Sequence, residues 1–191
     1  MTLAEAAAQA DELAKSGSER ELATLRSQWD DELEAAARSS DFRERALAFR
    51  AIGQFRWRAK EELLRRGLDD ESPAARGSAL LSIELLSRDH PSTVNGVRRL
   101  LHDLATGDGN SAVRRLAVMS LKNGSPERVT IGILDGLAQN EEADAELRRA
   151  AAAVALRRAR NASAARHGPA RRCGARGVLH RRARSRALTA P

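Results

Sequence analysis

Tyrosine is absent from this 191-residue chain, and aromatic residues make up only 3% of it. Any core must therefore be built from Leu, Ala, Val and Ile, a palette that suits closely packed helices. Cysteine occurs once, as Cys173, which excludes an intrachain disulfide and a cysteine metal cluster and fits a reducing, cytoplasmic setting. Nowhere do about 18 apolar residues run together, so no membrane span is expected. The N-terminus carries Glu5, Asp11 and Glu12 and lacks a basic stretch followed by an apolar block, so it does not read as a signal peptide. Acidic residues are missing after Asn161, where Arg166, Arg171, Arg172, Arg176, Arg181, Arg182, Arg184 and Arg186 stand without Lys, Asp or Glu. The net charge of +7 belongs to that segment, because these eight arginines leave residues 1–160 with one net negative charge.

What the sequence does contain is a repeat. An Arg, an Ala three residues later and an apolar residue seven later recur as Arg45, Ala48 and Ile52; Arg76, Ala79 and Ile83; Arg114, Ala117 and Leu121; and Arg148, Ala151 and Ala155. The arginines lie 31, 38 and 34 residues apart, room for two helices and two turns and too irregular for a coiled coil. Ser72-Pro73 and Ser125-Pro126 read as N-cap and first helical residue. Gly67, Gly107 and Gly124 stand where a left-handed residue would close a helix. Val94, Val97, Leu100, Leu101 and Leu104 keep helical spacing, as do Thr130, Ile133, Leu134 and Leu137, which marks second helices. Upstream, Leu22, Leu25, Trp29, Leu33 and Ala36 form a stripe behind a capping-box pattern at Ser18 and Glu21. Leu3, Ala7, Ala10 and Leu13 supply its partner helix.

The segments Ser72–Leu80 and Ser111–Val118 resemble HEAT repeats and the HEAT-like modules of bacterial proteins, over roughly Asp41 to Leu156. Asp70, Asp108 and Asp144 precede the three later arginines, as acidic turns do in that family. The resemblance implies an all-α, right-handed α-α superhelix, a short solenoid of about four repeats, and a binding role. Residues 1–38 are expected to form a helix pair capping the solenoid, 39–160 the repeats, and 161–191 a disordered Arg-rich tail. The fourth unit has no recognisable second helix, so its end is open and self-association there is expected. The tail's Arg, Ala, Gly and Pro mixture is also what a shifted reading frame in GC-rich DNA yields.

Arg45, Arg76, Arg114 and Arg148 are expected to bond Asp70, Asp108, Asp144 or turn carbonyls of the neighbouring unit, a ladder suited to forked donors. The alternative is a groove for phosphate or acidic peptide. Adjacent acids at Asp30-Asp31, Glu61-Glu62, Asp69-Asp70 and Glu141-Glu142 do not face each other on a helix and read as solvated faces. His90, His102, His167 and His180 lack metal-ligand spacing. Thr106–Ser111 has phosphate-loop composition without the following Gly-Lys-Ser or Gly-Lys-Thr. No catalytic residue, cofactor or metal is therefore expected.

Trp57, Arg56 and Arg58, with Arg98, Arg99 and Arg128, are the candidate binding surface, on a concave face of second helices around Phe55 to Leu64, Val94 to Leu104 and Val129 to Leu137. The expected function is a protein-binding scaffold. The alternatives are a nucleic-acid binder whose tail contacts phosphates and a HEAT-like DNA glycosylase. For the last, Trp29 has Asp30 and Asp31 beside it, but the body is near neutral and no Asn-Trp-Asp signature occurs.

Overall fold

Alanine at one position of each repeat lets neighbouring helices approach closely, and the fold is built on that row. The computed structural model describes the backbone of residues 1–166 and the side chains of residues 1–160. Among the described residues there are ten α-helices and no strand: α1 Leu3–Ser16, α2 Glu19–Gln28, α3 Asp30–Ala37, α4 Phe42–Gln54, α5 Glu61–Gly67, α6 Pro73–Leu86, α7 Ser92–Gly107, α8 Ser111–Leu121, α9 Arg128–Gln139 and α10 Ala145–Arg166. A 3-10 turn, Arg58–Lys60, precedes α5. The helices α4, α6, α8 and α10 stack in that order, α1 and α3 pack on α4, and α5, α7 and α9 pair with the stack as second helices.

Ala48, Ala79, Ala117 and Ala151 are fully buried in successive layers, backed by Ile52, Ile83 and Leu121. The layers share a polar register as well as an apolar one. Ser82 Oγ donates to Phe49 O at 2.7 Å, and Ser120 Oγ donates to Leu80 O at 3.1 Å, in each case the carbonyl four residues after the preceding repeat's Arg. Satisfying a buried hydroxyl in this way avoids a desolvation penalty of about 1–3 kcal/mol. Gly53 faces Ser82 so closely that a Cβ there would lie 2.5 Å from Ser82 Oγ and 2.8 Å from its Cα.

The ends of the helices differ from expectation in several places. Gly67, Gly107 and Gly124 do not take the left-handed conformation; among described residues only Gly17 and Arg56 have positive φ, at 76° and 50°. Gly67 and Gly124 are small because neighbours are close: a Cβ would come within 3.0 Å of Phe49 and Ala79 at the first, and 2.6 Å of Val94 at the second. Ser72 and Pro73 do open α6, but α9 begins at Arg128 behind Glu127, beyond Ser125-Pro126. Ser18 makes no capping bond, and the capping box lies at Thr2 and Glu5 instead. The N-terminal unit has three helices rather than two, because the Leu22–Ala36 stripe bends at buried Trp29. Trp29 itself packs in the core beside Leu25 and Leu33.

Two boundaries also move. The second helix of the first repeat is confined to α5, since Phe55 is fully buried at the end of α4 and residues 56 and 57 form a connection. Helix α10 continues to Arg166, past the boundary expected at Asn161. The Arg-rich segment 167–191 lies outside the described residues. No described helix is long and apolar enough to cross a membrane.

Candidate binding surface

The repeated arginines fall into two pairs with one geometry and two arginines without it. Arg45 Nε and Nη2 donate to Asp70 Oδ2 and Oδ1 at 2.7 and 2.9 Å, while its Nη1 donates to Ser39 O and Ser40 O. Arg76 repeats this on Asp108, at 2.7 and 3.0 Å, with Nη1 on Asp70 O and Glu71 O. Each guanidinium thus clamps the next unit's aspartate while holding the turn that opens its own helix. The Arg45 hydrogen bonds hold the Asp70 carboxyl below its ordinary range, outweighing the opposing effect of burial.

Arg114 and Arg148 do not join this ladder: Arg114 Nε donates to Ala105 O at 3.2 Å, and Arg148 makes no side-chain hydrogen bond among the described residues. The expected partner of Arg114, Asp144, is out of register, and no unit follows α10 among the described residues to serve Arg148. Asp70 and Asp108 lie two residues before the N-caps Ser72 and Asn110 and accept from the backbone N–H groups of those residues. Asp144 lies at the helix start itself, where its Oδ1 accepts from Glu146 N and Leu147 N. It belongs to the capping row, and the ladder position of the fourth unit is Glu142.

A sequence reading missed Arg158, which is only 5% exposed. From α10 it donates to Leu121 O, Gly124 O and Ser125 O at 2.5, 3.3 and 2.6 Å, gathering the carbonyls at the end of α8. Burial pulls its pKa down, helped by the nearby Arg98 charge. A cation suits the negative end of a helix, but its sequence context, one Arg among several, carries no signal of burial.

The candidate surface residues also divide. Arg98 is spent internally, on Ser125 O at 3.0 Å, Glu127 Oε2 at 2.9 Å, Ser125 Oγ and Asn95 Oδ1. Arg99 and Arg128 are exposed on α7 and at the start of α9, away from Trp57. Trp57, Arg56 and Arg58 come together in a groove of about 590 Å³ between α2, the α4–α5 connection and the α6–α7 turn, whose wall includes Leu22, Arg26 and His90.

That groove follows from how α4 ends. Arg56 adopts a left-handed φ of 50° so that Trp57 N donates to Ile52 O and Arg56 N to Gly53 O, a Schellman closure without glycine. An L side chain there costs about 1–2 kcal/mol. The cost is offset by fixed partners: Arg56 Nη1 donates to Gly53 O at 2.8 Å and pairs with Asp11 at 3.2 Å, while Arg26 donates to Phe55 O and Arg56 O. The reversal leaves Trp57 half-buried, 5.8 Å from the Phe55 ring and under the Lys60 ammonium at 5.0 Å. Burial alone would lower the Lys60 pKa, but Asp30 and Glu34 outweigh it and hold the ammonium above its ordinary value.

Arg26 and Arg56 are committed to the fold, so the groups the groove leaves to a ligand are the Trp57 ring, Arg58, whose side chain is 48% exposed and reaches Glu61 Oε1 at 3.5 Å, and the exposed His90 and Asp89. An aromatic face beside a solvated guanidinium can hold an apolar side chain next to a carboxylate. Among the described residues no three His, Cys, Asp or Glu side chains cluster to hold a metal ion. The chain matches no protein-family model and no curated protein.

Proposed function

We propose that this protein is a non-catalytic, protein-binding scaffold, a short HEAT-like α-α superhelix working in the cytoplasm. The reading rests on the groove at Trp57, where an aromatic anchor and Arg58, half exposed and held only by a 3.5 Å contact to Glu61, sit on a wall whose other arginines are locked in place. The ligand suited to it is an acidic segment of a protein partner carrying an apolar residue next to a carboxylate. Affinity capture with the full chain, after nuclease treatment, tests this. A partner that is lost in Trp57→Ala and in Arg58→Glu, with helical circular dichroism retained in both and the melting temperature unchanged in Arg58→Glu, is the expected result; capture indifferent to both substitutions overturns the reading.

The eight arginines from Arg166 onward support a second reading, nucleic-acid binding, seven of them lying outside the described residues. Its signature is a duplex affinity that falls with salt by a log-log slope of about −0.9 per phosphate neutralised. Binding that persists in a chain ending at Arg166 would place nucleic acid on the repeat surface and displace the scaffold reading.

A further inference from the structure

Among the described residues, the last layer of the stack exposes positions that the earlier layers bury or partly cover, the residue four after the repeat Arg being buried in each of them as Phe49, Leu80 and Val118. In α4 the residues four and eight after the repeat Arg, Phe49 and Gly53, are covered by Ser82 of α6. In α6 the residues one and four after it, Gly77 and Leu80, meet Leu116 and Ser120 of α8. The equivalent positions on α10 are Arg149, Ala152 and Leu156, and all three are exposed, Leu156 by 54%. Beside them on α9, Ile131 is 40% exposed. Two grooves run along this face and share Ala138 and Ala152. One extends towards the start of α10 and has Arg149 on its lip; the other extends towards Ile131 and Leu156 and has Asp135 on its wall.

We infer that this face is a homodimer interface, in which α10 of one copy lies antiparallel against α10 of a second about a two-fold axis near Ala152. Antiparallel pairing about that point places residue 149 of one copy opposite residue 156 of the other, the level at which Asp135 lines the groove. Arg149 and Asp135 make no ion pair among the described residues of a single chain. The two-fold joins each to its opposite in the second copy, forming the pair twice, while Leu156 and Ile131 are withdrawn from water. A self-complementary patch of this kind closes as a dimer, whereas a head-to-tail contact would continue as a filament. Alanine at 145, 152 and 159 permits the close helix approach. The interface is independent of the Trp57 groove, which lies at the other end of the stack.

Sedimentation equilibrium of the nuclease-treated full chain reads this directly. A dimer is expected. Leu156→Glu, on a side chain outside the core, should give a monomer with unchanged circular dichroism. Arg149→Asp and Asp135→Arg should each weaken association about tenfold, and the double variant should restore it to within about threefold. A full chain that stays monomeric to its solubility limit overturns the inference, as does association that survives Leu156→Glu or a double variant weaker than either single one.

Discussion

Replacing Arg76 and Arg114 separately by Ala puts the ladder to a quantitative test, because the two occupy the same place in the repeat and differ only in what they touch. Arg76 makes two hydrogen bonds to Asp108, whose side chain is 3% exposed, and two to turn carbonyls. Breaking a buried pair costs about 3–5 kcal/mol. In Arg76→Ala the carboxylate keeps its bond from Asn110 N, so the expected loss is at the low end, about 3 kcal/mol. Arg114 forfeits a single bond to Ala105 O, worth about 1 kcal/mol. For a chain of this size the melting temperature falls about 2–4 °C per kcal/mol, hence about 6–12 °C against about 2–4 °C. Urea titration followed by circular dichroism measures both, and the cycle with Asp108→Ala should show a coupling of about 2 kcal/mol. Equal costs for the two arginines, or additive costs for Arg76 and Asp108, would refute the assignment of the pair.

Glu142→Asp supplies the shorter acid at the ladder position ahead of Arg148 and should add about 1 kcal/mol, a gain that disappears in Arg114→Ala. Gly53→Ala drives a methyl into Ser82 and should cost about 1–3 kcal/mol by denaturant unfolding, whereas Gly132→Ala on α9, with open space around it, should gain up to about 1 kcal/mol. The Asp70 carboxyl is held below its ordinary range, so the unfolded chain takes up its proton first on acidification. Stability from the Arg45 pair is therefore complete above about pH 4 and drains as pH falls through the folded value, a slope that Asp70→Asn should flatten. Burial pulls the His102 imidazole below its ordinary value, with its Nε2 on Thr130 Oγ1 at 2.9 Å. Acidification below about pH 6.5 should then weaken the fold until the folded ring protonates, and an NMR titration of His102 gives the depressed midpoint directly.

The helical class and the layering were legible because the Ala at 48, 79, 117 and 151 sits three residues after an Arg in every unit, and burial follows that register. Helix ends were less legible, since Gly67 and Gly124 serve close packing while the left-handed closure falls on Arg56, a residue no turn rule selects. The ladder was half legible. Counting back from each Arg gives one row six residues earlier, Ser39, Asp70, Asp108 and Glu142, and another four earlier, Asp41, Ser72, Asn110 and Asp144. Asp70 and Asp108 of the first row accept the ladder bonds while the second row opens helices, and pairing by acidity alone mixes them. Trp57 stood out through its neighbours, but the division of its arginines into locked and exposed depends on contacts with Asp11 and Arg26. Those lie some 30 or more residues away, beyond any local pattern.

A photoreactive side chain at Ala59, an exposed position on the groove wall, tests the proposed function most directly, with the same probe at Arg66 on α5 as the control outside the groove. Illumination of cells expressing the full chain should give an adduct with one distinct protein from position 59, absent from position 66 and reduced by Arg58→Glu. Adducts to nucleic acid alone, or none beyond the control, would contradict a scaffold that holds its partner at Trp57.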